Sequence, residues 1–248
     1  MKLVRKLGLA VIRLTVLSYL IVYCIANLRF KNLETLLRQV KNSNSQIYQD
    51  LMIIATCSDL AKLEHFYFVE FGATNGISIS NTYLFEKFFG ARGIVSEPAR
   101  IWQKELARNR TCLISSKCVW ESSGERLEFV EATNPDLSGL AGYDGPIKGK
   151  EIKETYQVDT ISLNDLLLTF EAPKSINFLS IDTEGSELRI LSNFDFKSFQ
   201  IDVIVCEHNY GKNRDGIRRL LESNGYKRKH KAMSFFDDWY FLESKRLK

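Results

Sequence analysis

Four carboxylates stand at or beside the ends of four apolar runs. They are Glu70 in Phe66 to Phe71, Glu97 after Gly93-Ile94-Val95-Ser96, Asp182 after Ile176 to Ile181, and Glu207 after Ile201 to Cys206. Unpaired buried carboxylates are costly, so four acids at four strand ends point to a shared site rather than to core packing. Glu70 is followed by the turn Gly72-Ala73-Thr74-Asn75-Gly76. Glycines let backbone approach a ligand closely, and a helix beginning near Ser80 would offer free N–H groups, so the turn makes a cradle for an anionic or polar cofactor tail. Glu97, about 20 residues further on, has the place of the acid that binds ribose hydroxyls in a βαβ nucleotide site. The spacing is not the dehydrogenase fingerprint, because a third glycine is missing.

These residues need a parallel sheet to bring them together. The runs at Phe66, Gly93, Ile176 and Ile201 are too continuously apolar for one-sided strands and suit strands buried on both faces. Asn81 to Phe89 has an amphipathic helical pattern and ends at Gly90, a C-cap. Its Tyr83-x-x-x-Lys87 spacing matches a short-chain dehydrogenase pair, but on the wrong helix for that chemistry. Pro98 is expected at the first position of a second helix reaching Asn109. Cys112 to Ser116 reads as a third strand, Arg126 to Val130 as an exposed hairpin strand, Leu163 to Phe170 as a helix, and Thr183-Glu184-Gly185-Ser186-Glu187 as a turn into another. Arg214 to Ser223 reads as a helix capped by Asn224-Gly225, followed by a β pair at Tyr226 to Lys231 and Trp239 to Glu243. Alternating strands and helices predict a Rossmann-like, doubly wound, mostly parallel α/β sheet with a C-terminal antiparallel hairpin. The glycine-rich stretch 132–157 has no apolar periodicity and is expected to be a lid-like insert.

With 248 residues, 45% hydrophobic and 12% aromatic, the chain can bury one sizeable core. Its net charge of +4 is unevenly spread: residues 1–41 hold eight Lys/Arg and one Glu, a net of +7, which leaves the remainder at −3. A mildly acidic domain argues against nucleic-acid binding. Five cysteines without C-x-x-C spacing indicate neither a disulfide framework nor a zinc site. Asn109-Arg110-Thr111 forms a glycosylation sequon, which decides nothing without knowledge of the compartment. The organisation expected is an N-terminal hydrophobic helix over 1–31, a connector over 32–44 and a catalytic domain over 45–248. Leu7 to Leu28 is predominantly apolar over about 20 residues, long enough to cross a bilayer. A membrane anchor is favoured there, ahead of an amphipathic or core-docked helix and a cleaved signal peptide. Basic residues on both sides give no orientation. The expected arrangement is a cytoplasmic domain held at a membrane through residues 7–28.

Three stretches resemble the FkbM family of S-adenosylmethionine-dependent O-methyltransferases: Phe68-Val69-Glu70-Phe71-Gly72-Ala73-Thr74-Asn75-Gly76 with Ser80-Asn81-Thr82, Gly93-Ile94-Val95-Ser96-Glu97-Pro98, and Ile181-Asp182-Thr183-Glu184-Gly185-Ser186-Glu187. Ser45-Gln46, Gln49-Asp50 and Ser138-Gly139-Leu140 are weaker echoes. The resemblance spans about Ser45 to Leu242, and its most specific element is I-D-x-E-G-x-E. Departures are Glu70, where aspartate is common, and Cys118-Val119, where an alanine-containing pair often borders the adenine. The resemblance implies a class I methyltransferase that methylates a hydroxyl of a small-molecule or saccharide acceptor. Glu70, Gly72, Ala73, Asn75, Gly76, Ser80, Glu97, Pro98 and Cys118 would bind the cofactor. Asp182, Glu184 and His208 would take or orient the acceptor proton. Catechol-type relatives place a magnesium ion on strand-end acids and an adjacent Asn, here Asp182, Glu207 and Asn209; a metal-free site is the other option. A nucleotide-sugar oxidoreductase or epimerase and a catalytically silent membrane-tethered binding module are the competing classes.

Overall fold

The computed structural model describes residues 2–57, 63, 65–142 and 151–243. The chain divides into two compact units, residues 1–66 with 77–91 and residues 67–76 with 92–248.

The first unit is helical: α1 (Lys2–Ala26), α2 (Phe30–Gln39), α3 (Gln49–Thr56) and α4 (Tyr83–Phe89). Helix α1 packs on α2 and α3, burying Val16, Leu20 and Cys24 at every fourth residue. Its stretch Leu7–Ala26 is long and apolar enough to cross a membrane. Arg29 and Asn32 donate to the carbonyl oxygens of Ile54, Thr56 and Cys57, which satisfies the last turn of α3. At the start of α3, Ser43 and Ser45 each donate to Asp50 Oδ1 at 2.6 Å. Burial pushes the Asp50 carboxyl up to about 6, and its Oδ2 has no hydrogen-bond partner among the described residues. Helix α4 ends on left-handed Gly90, where the Ala91 N–H reaches Phe85 O, as the sequence implied. Its start differs from expectation. The helix begins at Tyr83 rather than directly after the glycine turn, because Ser80 Oγ accepts the N–H groups of Thr82 and Tyr83.

The second unit is a seven-stranded sheet. Its strands are β1 (Tyr67–Phe71), β2 (Arg92–Ser96), β3 (Leu113–Ser115), β8 (Ser175–Ile181), β9 (Gln200–Glu207), β10 (Tyr226–Lys229) and β11 (Asp237–Leu242), in the order β10-β11-β9-β8-β1-β2-β3. Neighbours from β9 to β3 are parallel, and β11 pairs antiparallel with β9 and β10. The doubly wound sheet and its C-terminal antiparallel pair are as expected. Strand order reverses direction at β1 and β8, which puts ligands at their carboxyl ends. Helices α5 (Arg100–Asn109), α6 (Leu163–Thr169), α7 (Glu187–Ser192) and α8 (Arg214–Ser223) link these strands. The core runs through Val69, Phe71, Ile94, Leu166, Leu179, Ile181, Ile204 and Leu221.

A second sheet comprises β4 (Cys118–Trp120), β5 (Arg126–Ala132), β6 (Gly139–Leu140) and β7 (Ile152–Ser162), ordered β4-β7-β5-β6, of which the sequence shows only β5, as the strand from Arg126 to Val130. Much of the expected lid therefore belongs to strands β6 and β7; residues 143–150 of it lie outside the described residues. In β7 Tyr156, Val158 and Thr160 are buried and alternate with exposed Gln157 and Asp159, and Ile161 and Ser162 after them are buried too. An inward face containing tyrosine and threonine conceals the period-2 signal. Ser162 then caps α6 by accepting the Asp165 N–H. Pro98 is not the first residue of α5, which begins at Arg100. Glu97 Oε1 takes the Ala99 N–H and holds that residue extended.

Candidate functional site

The glycine turn is built around backbone contacts that no side chain would permit. At Gly72 φ is +72°, and a Cβ there would come within 2.1 Å of the Asp182 carbonyl oxygen. At Gly76 φ is +84°, and a Cβ would lie 2.6 Å from Arg110 Cγ. Arg110, from the end of α5, is fully buried; its Nη1 donates to Gly76 O and pairs with Glu70 at 3.4 Å. Asn109 Nδ2 donates to Asn75 O. Helix α5 thus grips the turn through two residues that the sequence had presented only as part of a sequon. A buried Arg–Glu pair leaves an uncompensated charge if either partner is removed, which explains why Glu70 sits inside β1 without facing a ligand alone.

Glu97 closes the cradle from β2. Its Oε2 accepts the Thr74 N–H at 2.9 Å and its Oε1 the Ala99 N–H at 2.8 Å. Each oxygen keeps a further lone pair. Burial pushes this carboxyl up to about 7, helped by the nearby charges of Asp182 and Asp136. Cys118 is buried close enough to Glu97 to feel its charge, and burial pushes its thiol up to about 12.

Beyond β8, the turn Asp182 to Ser186 is organised by Glu187, whose Oε1 accepts the Thr183 N–H, the Thr183 hydroxyl and the Gly185 N–H. That contact holds Glu184 at a left-handed φ of 58°. Carboxylate oxygens of Asp182, Glu184 and Glu207 lie within 4.8 Å of one another. Burial and the like charges of Asp237, Glu187 and Glu70 push Asp182 up to about 7. Glu207, buried and hydrogen-bonded to Asp182, is pushed far higher, so the pair keeps a proton at neutral pH. Asp237, opposite Glu207 in the β9–β11 register, is a further acid of this cluster. The sequence reading began the last strand at Trp239 and so missed it.

A cavity of about 400 Å³ opens beside these acids, lined by Glu184, Glu207, His208, Asn209, Lys212 and Arg214 among others. His208 does not present a free lone pair to it. Its Nδ1 accepts the Tyr210 N–H at 3.0 Å, and its Nε2 lies 3.9 Å from Asp238 Oδ1 and makes no hydrogen bond among the described residues. Burial lowers its pKa to about 4, so the ring is neutral. Burial works against the charge on Asp238, but Arg214, Ser234 and Arg228 outweigh it and hold that carboxylate at about 2.

The expected cofactor-side residues Glu70, Gly72, Ala73, Asn75, Gly76, Glu97, Pro98 and Cys118 all fall in the second unit, around one turn and one strand end. Ser80 falls in the first unit. Of the residues expected at a metal, Asp182 and Glu207 come together; Glu184 joins them, and Asn209 stands on the cavity wall. Arg110, Glu187 and Asp237 are the participants that sequence reasoning missed. Glu187 had a signal, its place in I-D-x-E-G-x-E, but a turn-capping acid cannot be told from a ligand-facing one by spacing.

The family model described as Methyltransferase FkbM domain matches residues 70–228. No curated protein matches the sequence. Among solved structures, the chain is similar to the crystal structure of a fibrillarin/Nop5p complex, with a TM-score of 0.40 and 9% identity over 73% of this chain and 74% of that one. It is also similar to precorrin-6y C5,15-methyltransferase from Geobacter metallireducens GS-15, with a TM-score of 0.37 and 14% identity over 73% of this chain and 84% of that one. The family match spans most of the second unit, from the acid before the glycine turn to the last strand pair, and on it the chain belongs to the FkbM methyltransferase family.

Proposed function

We propose that this methyltransferase uses S-adenosylmethionine to methylate a hydroxyl of a small-molecule or saccharide acceptor. The observation that carries the reading is the convergence of Asp182, Glu184 and Glu207 beside a cavity of about 400 Å³. That volume suits a small ligand, and a mostly apolar wall set with carboxylates, Asn209, Lys212 and Arg214 offers a few polar groups that would orient an acceptor's hydroxyls. The cradle suits the cofactor: Gly72 and Gly76 let the turn fold tightly against Asp182 and Arg110, and Glu97 keeps acceptor capacity for two hydroxyls. When bound, S-adenosylmethionine supplies an electrophilic methyl on a cationic sulfonium.

The chain's own part is to orient the acceptor oxygen and receive its proton. Asp182, held near neutrality by its surroundings, is poised to accept a proton at physiological pH. Glu207 keeps a proton and hydrogen-bonds Asp182, which fixes that carboxylate's direction. Glu184 reaches the cavity from its strained turn and orients the hydroxyl. His208 acts through position, by holding the turn after β9 in place through the Tyr210 N–H.

A second reading is favoured by the same three carboxylates. Hard oxygen donors this close also suit a divalent cation such as magnesium, which would lower the acceptor hydroxyl's pKa. A labelled-methyl assay on hydroxylated acceptors, run with EDTA and then with magnesium restored, tests both readings. Activity indifferent to EDTA supports the proton-sharing pair, and loss reversed by magnesium supports the ion. Cofactor binding with no transfer to any hydroxyl acceptor, while a nitrogen or carbon acceptor is methylated, would overturn the O-methylation reading.

A further inference from the structure

The N-terminal helix presents two opposite faces. Val16, Leu20 and Cys24 are at most 1% exposed, packed into the first unit. Arg13 lies on that same face. Its guanidinium donates to Ser43 O and sits 4.2 Å over the Tyr48 ring. The other face carries Leu7, Val11, Leu14, Val22 and Ile25, between 50% and 65% exposed, with exposed Ser18 among them. At 100° per residue these six positions fall within an arc of about 80°, and from Leu7 to Ile25 the stripe runs about 27 Å along the axis. Leu28 after α1 and Phe30 and Leu37 on α2 are exposed as well. Of the fourteen large hydrophobics exposed among the described residues, eight therefore lie within the first 37 residues. Patches of this size on a soluble protein mark an interaction site.

We propose that this face is a docking surface for an anionic phospholipid bilayer, with α1 lying in the plane of the membrane surface rather than crossing it. To cross a bilayer as a single span, α1 would have to leave its packing on α2 and α3 and carry Arg13 away from Ser43 and Tyr48 into lipid. Here one side is buried in protein and carries an arginine whose hydrogen bond and ring contact are both made within the unit. A half-buried helix with one apolar face is instead suited to insertion a few ångströms deep at the headgroup boundary. The choice of lipid follows from charge. Residues 1–41 are net +7, and Lys31, Arg38 and Lys41 are exposed on and just beyond α2, beside Phe30 and Leu37. Basic side chains next to apolar ones match the negative surface of an anionic bilayer. A second copy of the chain would meet the same net positive charge and be repelled.

Co-sedimentation of the full chain with phosphatidylcholine vesicles, with and without phosphatidylserine, tests this. The expected result is binding that needs phosphatidylserine, weakens as salt rises, and is released by alkaline carbonate. The double substitution Val11→Asp with Leu14→Asp, both on the exposed face, should weaken binding at least tenfold, with an unchanged far-ultraviolet circular dichroism spectrum and melting temperature. Absence of binding to either vesicle overturns the proposal. So does protein that resists carbonate, the mark of a spanning helix. Self-association in sedimentation velocity without lipid, abolished by the same substitutions, also overturns it in favour of a second copy.

Discussion

On the proposed function, two side chains separate binding from chemistry. Glu97 faces the cradle and Asp182 faces the acids, and each is poised near neutrality by burial. A charge-assisted hydrogen bond contributes roughly 1.5–3 kcal/mol, so Glu97→Ala is expected to weaken S-adenosylmethionine at least tenfold in calorimetry. Unchanged affinity in a variant that melts like the parent would remove Glu97 from the cofactor site. Asp182→Asn keeps the shape of the side chain and takes away its ability to accept a proton. Cofactor affinity should stay within about threefold, while transfer slows by about 10²–10⁴. Full activity in that variant would defeat both the proton-sharing and the cation readings. Both stand out in the sequence because acids at strand ends have no ordinary structural purpose. His208 stands out in the sequence as well, and what the sequence does not show is that Tyr210 N–H occupies its Nδ1 and that Asp238 faces its Nε2.

At the scale of elements, what was legible depended on whether a residue's neighbours were local in sequence. Apolar runs gave the parallel strands, and Gly90 gave the end of α4, since both signals lie within a few residues. Of the second sheet only β5 was read, as the strand from Arg126 to Val130; β4 and β6 are three and two residues long, too short to show a period, and β7 carries tyrosine and threonine on its inward face. Arg110 was lost because its partner Glu70 lies forty residues away. The turn after β8 makes a sharper case. Glu187 accepts three hydrogen bonds there, and two come from backbone N–H groups. Glu187→Ala leaves those donors without their acceptor, at about 1–3 kcal/mol each. Urea unfolding should show a loss of about 3 kcal/mol, and transfer should fall because Asp182 and Glu184 flank the loosened turn. Glu187→Gln retains an acceptor oxygen and should recover most of the stability. If Glu187→Ala is as stable as the parent, the turn is held by something else.

The whole molecule concentrates carboxyls whose protons are held too tightly, and this sets its response to pH. Asp50 is raised to about 6, Glu97 and Asp182 to about 7, and Glu207 further, all chiefly by burial. A group raised above its unfolded value lends stability at low pH and loses it as pH climbs through the folded value. The buried histidines oppose this. His208 and His230 are lowered to about 4 by burial, so their contribution grows as pH rises from 4 toward the unfolded value near 6.5. Below 6.5 the two sets of groups pull against each other. Above it the histidines are neutral in both states and only the acids count. The folded chain then holds a proton on the Asp182–Glu207 pair that the unfolded chain has already released, which lowers stability by about 1.4 kcal/mol per pH unit. From pH 6.5 to 8 that one proton alone should cost the protein without ligand about 2 kcal/mol, with Glu97 and Asp182, raised to about 7, adding to it, a fall of several degrees in melting temperature. Glu207→Gln removes the tightly held proton and should flatten that slope. Bound S-adenosylmethionine, whose sulfonium is positive, should flatten it too if it sits against these acids. Scanning calorimetry of parent and variant at pH 6.5 and 8 decides the matter: a melting temperature that rises over this interval, or a slope shared by Glu207→Gln, would show that the pair does not carry the proton assigned to it.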